Sequence, residues 1–247
     1  MPIKVVTFDL DNTLWDVEPA LLRAEEAQRQ WLLTHRPGAI DQISHDDLWN
    51  LKKRVWKAHP ELAHNVSSMR QLFLQELQRA AGFDENAARD GAQQAFEVFL
   101  AERQTVELYS EALEVLETLA RRFRLGALTN GNADVYKTDA GEYFDFAFLA
   151  EDIGASKPAP DMFHAALSTA GVEAREVLHV GDNPEHDVLG ALRVGMHAIW
   201  LNADNAPWSA VHSSQGYAPH GTITSIGELP DAVAVLEQQL SEDTIRR

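Results

Sequence analysis

Asp9, Leu10, Asp11, Asn12 and Thr13 follow directly on an apolar run at residues 3–8 that is rich in β-branched side chains. In extended backbone, side chains two positions apart point the same way, so Asp9 and Asp11 can converge on one space while Leu10 turns into the core. Two such carboxylates repel unless a cation offsets them. A hard ion such as Mg²⁺ takes oxygen ligands of this kind, and a carboxylate beside it can attack phosphorus. The plain alternative is a solvated strand end. An EF-hand loop fits less well, because the glycine it needs at its sixth position is Leu14 here and a strand, not a helix, comes before it.

Three more groups fall at or just past the ends of later apolar runs, where open α/β sheets bind ligands. Thr129, Asn130 and Gly131 offer a hydroxyl and backbone N–H groups to phosphoryl oxygens, with glycine permitting close approach; a plain turn uses the same residues. Lys157, in Gly154-Ala155-Ser156-Lys157-Pro158, is restricted by the proline to extended backbone ahead of a helix expected at residues 161–170. That makes it a positioned point charge, although a lone loop lysine is usually just solvated. Asp182, between Gly181 and Asn183, can complete a metal shell, and Asp187 can orient the metal's water ligands or Lys157. A helix cap is the ordinary use of such acids. What carries weight is the joint occurrence of the groups in this order and placement.

The elements that must position these groups are legible as apolar runs. Residues 3–8, 125–128, 146–149, 177–180 and 198–201 each end near polar or turn-forming residues, and helical patterns lie between most of them, which predicts an α/β fold with a parallel sheet. From about residue 17 to 103 only helical periodicity is found. Two helices are expected at 19–33 and 46–58, the second stopped by Pro60; Met69, Leu72, Phe73, Leu77, Ala80 and Ala81 mark the face of a third, and Ala88, Ala92, Ala95, Phe96, Phe99 and Leu100 that of a fourth. Such a block between the first strand and the rest of the sheet reads as an inserted helical cap at 17–103, leaving 1–16 and 104–247 as the core. Ser110 is placed to cap the core helix that carries Leu113, Leu116, Leu119 and Ala120. Residues 206–221, rich in Pro, Gly and Ser, read as a surface loop, with a last strand and helix at 222–240.

Composition narrows the chemistry. The 247 residues are 45% hydrophobic, enough for a sizeable core, and cysteine is absent, which removes disulfides, thiolate nucleophiles and cysteine-held zinc. A formal net charge of -17 argues against nucleic acid as a partner. An anionic substrate would meet the same repulsion, so a bound cation and a placed lysine must reverse the potential locally. No apolar run is long enough to span a bilayer and no signal-peptide layout opens the chain, so a cytoplasmic location without membrane attachment is expected. Nothing in the sequence specifies an oligomeric state.

The set FDLDNT, TNG, SKP and GDNPEHD resembles the four motifs of the haloacid dehalogenase (HAD) superfamily, and the helical insertion after the first motif is similar to that superfamily's C1-type cap. The likeness covers nearly the whole chain and fades after about Asn205. It implies a Rossmann-like core with a helical cap. It further implies that Asp9 is a nucleophile forming an aspartyl-phosphate, and that Asp11 is first acid and then base. The Asp9 carboxylate, the Asp11 backbone carbonyl and Asp182 would hold Mg²⁺; Thr129, Asn130 and Lys157 would stabilise the phosphoryl group, with Asp187 behind them. A phosphatase must protonate its leaving group, whereas a haloacid dehalogenase needs no acid two residues after its nucleophile, so Asp11 favours a small phosphomonoester as substrate. The phrases around His64 to Phe73, with ALTNGNADV, HVGDNPEHDV and GMHAIWLN, resemble a bacterial subgroup acting on 5-amino-6-(5-phosphoribitylamino)uracil, a riboflavin precursor, and on flavin mononucleotide. Pyrimidine 5'-nucleotides and sugar phosphates are the alternatives.

Trp15, Asp16, His64 and Arg70 are candidates to read the leaving group. Each has a plainer use: Trp15 as packing at the joint between core and cap, Arg70 as one charge on an exposed helix face. The run Lys52, Lys53, Arg54 and Lys57 scatters around a helix and reads as a solvated face. His179, within an apolar strand, reads as a core histidine rather than a ligand.

Overall fold

All four residues of β1 (Val5–Phe8) are buried, with no alternation of polar and apolar positions, as a strand covered on both faces requires. With β2 (Arg124–Thr129), β3 (Phe146–Leu149), β4 (Val177–Gly181), β5 (His197–Leu201) and β6 (Gly221–Ile223) it forms one parallel sheet in the order β3-β2-β1-β4-β5-β6. The computed structural model describes residues 2–245. Phe8 lies opposite Ala127 of β2 on one side and Val180 of β4 on the other. The Asp9 N–H extends that ladder by donating to the Val180 carbonyl at 2.9 Å. The first residues beyond β1, β2 and β4 therefore emerge side by side at one rim, where the strand order reverses.

The chain divides into two compact units, Met1–Asp16 with Glu107–Arg247, and Val17–Val106. The second contains α1 (Val17–His35), α2 (His45–Ala58), α3 (Val66–Ala80) and α4 (Glu85–Arg103). Ser44, Asn65 and Asp84 cap α2, α3 and α4 by accepting from backbone N–H groups of the first turn. Val106 lies beyond the end of α4 because the chain is still tied down there: the Thr105 N–H donates to Glu102 and its carbonyl accepts from Arg23. The buried face of α3 is Met69, Leu74, Leu77 and Gln78, whereas Ala80 and Ala81 are exposed. Helix α3 lies against both α2 and α4, so it buries a wider arc than a single stripe, and that arc takes in Leu74.

The remaining helices, α5 (Ala112–Ala120), α6 (Ala150–Ile153), α7 (Asp161–Ala170), α8 (Gly190–Arg193), α9 (Ala210–Ser214) and α10 (Leu229–Ile245), belong to the unit of the sheet. Helix α7 packs on β2 and β3 through a core that includes Met162, Phe163, Ala166, Leu128 and Phe146. Ser110 does not cap α5. Glu111 precedes the helix without a side-chain cap bond, and the Ser110 hydroxyl donates to Glu111 Oε2 at 2.7 Å instead. Helix α5 buries Ala112, Val115, Leu116 and Leu119, leaving Leu113 and Ala120 outward. The expected surface loop at 206–221 contains the single turn α9, and the Trp208 indole N–H closes it on the Tyr217 carbonyl.

Candidate active site

Lys157 is almost wholly buried, and its ammonium donates to Asp9 Oδ1 at 2.7 Å, to Asp187 Oδ1 at 2.6 Å and to the Leu128 carbonyl. An ammonium has three N–H bonds, and all three are used. Asn130 fixes the backbone that delivers it: the Lys157 N–H donates to Asn130 Oδ1 at 2.8 Å, and Asn130 Nδ2 donates back to the Lys157 carbonyl at 2.9 Å. Both ends of that side-chain amide are engaged with the lysine loop, so Asn130 acts on the pocket by placing Lys157.

Asp187 sits in the π-helical turn Pro184–Leu189, which Asn183 caps by accepting from the Glu185 and His186 N–H groups. Asp187 Oδ1 faces Lys157 and, at 3.3 Å, His179 Nε2, while Oδ2 accepts from the Asn183 N–H at 3.0 Å. A Cβ at Gly181 would collide with the Asp187 carboxylate, so glycine is what lets this acid lie against the end of β4. His179 is indeed a buried core residue, and it also reaches the site. Its Nδ1 lies 2.9 Å from Thr7 Oγ1. A proton on Nε2 satisfies both contacts at once, with Thr7 O–H donating to Nδ1 and Nε2–H donating to Asp187. Burial keeps the ring neutral by pushing its pKa down.

The charge balance of the cluster is uneven. One ammonium faces two carboxylates, and Asp182 adds a third acid: ligand oxygens of Asp9, Asp182 and Asp187 all lie within 4.8 Å of one another. Burial pushes Asp187 up, but the Lys157 charge and the His179 hydrogen bond outweigh it and hold the acid well below the usual carboxylate range. Asp9 is pushed well up by burial, against the pull of Lys157 and reinforced by Asp187. Asp182 is pushed up to about 6 by burial and by Asp187. Excess negative charge on hard oxygen donors fits a divalent cation such as Mg²⁺. Since both Asp187 oxygens are taken by Lys157, His179 and Asn183, the donors suited to a metal are Asp9 and Asp182.

Asp9, Asp11, Asn12, Thr129, Asn130, Gly131, Lys157, Asp182, Asn183, His186 and Asp187 line a single pocket at the rim of the sheet. Leu10 turns into the core, as its spacing between the two acids predicts. Thr129 Oγ1 accepts from the Gly131 N–H at 3.0 Å, a contact that does not use its hydroxyl proton. Trp15 is fully buried and its indole N–H donates to Asp11 Oδ1 at 2.8 Å. Arg70 belongs to the helical unit and is not a lone surface charge: it reaches Gln28 and Glu25 at 3.3 and 3.4 Å, and its guanidinium lies 3.6 Å from the Phe99 ring centroid. Sequence reasoning missed the Thr7–His179–Asp187 chain and His186, and gave Asn12 no role of its own. A polar threonine and a histidine inside two apolar strands, at positions that pair as neighbours, are the signal for the first.

Three comparisons agree on the family. A 5-amino-6-(5-phospho-D-ribitylamino)uracil phosphatase of Escherichia coli, YigB, is 33% identical over 94% of this chain and 96% of its own. The pyrimidine 5'-nucleotidase YjjG of the same organism is 33% identical over 48% of this chain and 53% of its own. A crystal structure described as a 2-haloacid dehalogenase from Pseudomonas syringae pv. Tomato DC3000 is 40% identical, covers 94% of this chain and 98% of its own, and has a TM-score of 0.87. The haloacid dehalogenase-like hydrolase model matches residues 3–195. Together with the parallel sheet and the acids at its rim, these matches establish that the chain belongs to the haloacid dehalogenase-like hydrolase family.

Proposed function

We propose that this protein is a divalent-metal-dependent phosphoric monoester hydrolase acting through an aspartyl-phosphate on Asp9. The observation that carries the reading is the second carboxylate: Asp11 lines the same pocket as Asp9 and Lys157 and is held there by Trp15. An Asp9 oxygen attacks phosphorus as the bond to the leaving oxygen breaks, and Asp11 gives that oxygen its proton. Asp11 then takes a proton from water as the water oxygen attacks phosphorus. The Asp9–phosphorus bond breaks, releasing inorganic phosphate and restoring both acids.

Lys157 supplies fixed positive charge beside Asp9, and the Thr129 hydroxyl donates to a phosphoryl oxygen. The Asp9 and Asp182 carboxylates, with the Asp11 backbone carbonyl, would hold the metal. A bound Mg²⁺ supplies charge stabilisation of the transferring phosphoryl group. The Val17–Val106 unit is the cap of the proposed enzyme, with a role in excluding water and selecting the leaving group, and Arg70 is a candidate substrate contact.

The substrate is a small soluble phosphate ester. The full-length likeness to the Escherichia coli 5-amino-6-(5-phospho-D-ribitylamino)uracil phosphatase supports that uracil phosphate as substrate; flavin mononucleotide as a second substrate and a cytoplasmic place in riboflavin biosynthesis belong to the same proposal. Among the described residues no helix is long and apolar enough to cross a membrane. A pyrimidine 5'-nucleotide is the alternative within the same chemistry. The 2-haloacid reading has the named structural relative in its favour, and Asp11 against it, because displacing halide from carbon needs no proton donor. One panel separates these readings: phosphate release from flavin precursors, nucleotides and sugar phosphates with and without Mg²⁺, beside chloride release from 2-chloroacids without metal. Metal-dependent phosphate release with flavin precursors ranked first is expected; chloride release without phosphate release overturns the reading.

A further inference from the structure

We propose that Trp15 is a positioning residue for Asp11, fixing the carboxylate that transfers the proton; this rests on the reading of Asp11 as the acid. A fully buried indole N–H must find an acceptor, and the one it takes is Asp11 Oδ1 at 2.8 Å rather than a backbone carbonyl. The donor itself is anchored on both sides. The Asn12 N–H donates to the Trp15 carbonyl at 2.7 Å, closing the turn, and Asn12 takes the left-handed conformation, φ 59°, that the closure demands. On the other side Trp15 bridges to Leu108, and the Tyr109 N–H donates to the Leu14 carbonyl at 2.9 Å. The indole therefore cannot follow Asp11 if the carboxylate turns.

Holding Oδ1 restrains the orientation from which the carboxylate transfers its proton. It also settles a competition within the pocket. Lys157 is the strongest attractor there for a carboxylate, and its three N–H groups go to Asp9, Asp187 and Leu128, not to Asp11. Losing the Trp15 contact weakens that restraint and lets Asp11 compete with Asp9 for the ammonium, away from the leaving group. Acid transfer matters most when the leaving group is a poor one, so the contribution of Trp15 must scale with leaving-group basicity.

The test compares kcat/KM, which reports the step that phosphorylates Asp9, for an alkyl phosphate and for p-nitrophenyl phosphate. The proteins are wild type, Trp15→Phe, Asp11→Asn and the double variant, each with its thermal midpoint. Trp15→Phe keeps the ring and deletes the donor; benzothienylalanine at position 15, which keeps the bicyclic shape without the N–H, replaces it if the phenylalanine protein does not fold. The alkyl substrate is expected to lose about tenfold or more beyond the loss with the aryl substrate, and the loss should vanish in the Asp11→Asn background. Equal losses for both substrates, or a loss that persists without Asp11, overturn the proposal. If Asp11→Asn itself shows no dependence on leaving group, the acid assignment fails and the proposal with it; if only the Trp15 variants lack that dependence, the acid assignment stands and the proposal alone fails.

Discussion

Two clusters of titratable side chains lie at opposite rims of the same parallel sheet. At the carboxyl end Lys157, Asp9, Asp187 and His179 are almost entirely out of water. At the amino end His197 Nδ1 lies 3.1 Å from His220 Nε2, with both rings partly exposed. Burial alone favours the neutral form in both clusters, and only the first escapes that outcome. In the buried cluster the lysine raises no net penalty that Asp187 and Asp9 do not offset: burial lowers its pKa, and the two carboxylates push it above its ordinary value. In the open cluster the Ala198 N–H donates to His220 Nδ1 at 3.2 Å, so the His220 proton sits on Nε2 and donates to His197 Nδ1, and His197 Nε2 donates to the Arg175 carbonyl at 3.1 Å. Every nitrogen is committed with both rings neutral, and a further proton on either ring sets two N–H groups against each other. Burial acts on both clusters; carboxylates overcome it at Lys157, whereas the two histidines only oppose each other's protonation, so only the cluster with opposed charges has anything to offer a phosphoryl group.

The contrast breaks most sharply at the nucleophile. Asp9→Asn is expected to lower phosphatase turnover by at least about a thousandfold, as loss of a covalent catalyst does, whereas His220→Gln at the other end should leave kcat where it is. Full turnover by Asp9→Asn would end the mechanism. Lys157→Ala follows. It strands two carboxylates in a dry site, and breaking a buried pair costs about 3–5 kcal/mol of stability; removing a charge that acts on the transition state lowers kcat by about 10²–10³. Denaturant midpoints and rates that both match wild type would remove Lys157 from the site.

Mg²⁺ tests the excess charge from the other direction. Saturating metal, at about a hundredfold over its dissociation constant, should stabilise the native protein by about 2.7 kcal/mol. The shift should disappear in Asp182→Asn and survive in His220→Gln. A thermal scan in which metal acts equally on all three proteins would place its binding outside the acids at the rim.

The two clusters also differ in how far the sequence discloses them. Asp9, Asp11, Thr129, Lys157 and Asp182 were legible because each follows an apolar run, and the parallel register carries the ends of those runs to one rim. The strands at residues 146–149 and the helix at 161–170 coincide with the residues observed, since their apolar runs are short and bounded by turn signals. The partnerships were not legible. Lys157 meets Asp9 across 148 residues and Asn130 across 27, and no local pattern specifies which acceptors an ammonium will take. The sequence presents Trp15 as packing or as a substrate contact, because a tryptophan's bulk shows in sequence and the direction of its N–H does not. Ser110 was misplaced for a related reason: a cap needs its side chain turned onto the first helical N–H groups, and a glutamate one residue later captured the hydroxyl. The His197–His220 pair gave no signal at all, since it forms only when β6 is laid beside β5.

The smallest effect expected is the pH dependence of the neutral cluster. His220 is pushed down to about 4 by partial burial and by His197. In the unfolded chain a histidine takes its proton near pH 6.5. Between those values the unfolded state binds a proton that the folded state refuses, so stability is present in full above about pH 6.5 and falls as pH drops toward 4. His220→Gln keeps an acceptor for the Ala198 N–H and a donor for His197 but cannot titrate. The acids at the rim titrate in both proteins alike, so they cancel in the difference between them. Urea midpoints measured at about pH 7.5 and about pH 5 should therefore converge, wild type losing more of its stability than the variant on acidification. A wild-type minus variant difference that stays constant across that range would show that the two rings accept protons as freely folded as unfolded. The neutral hydrogen-bond chain set against the charged rim would then be wrong.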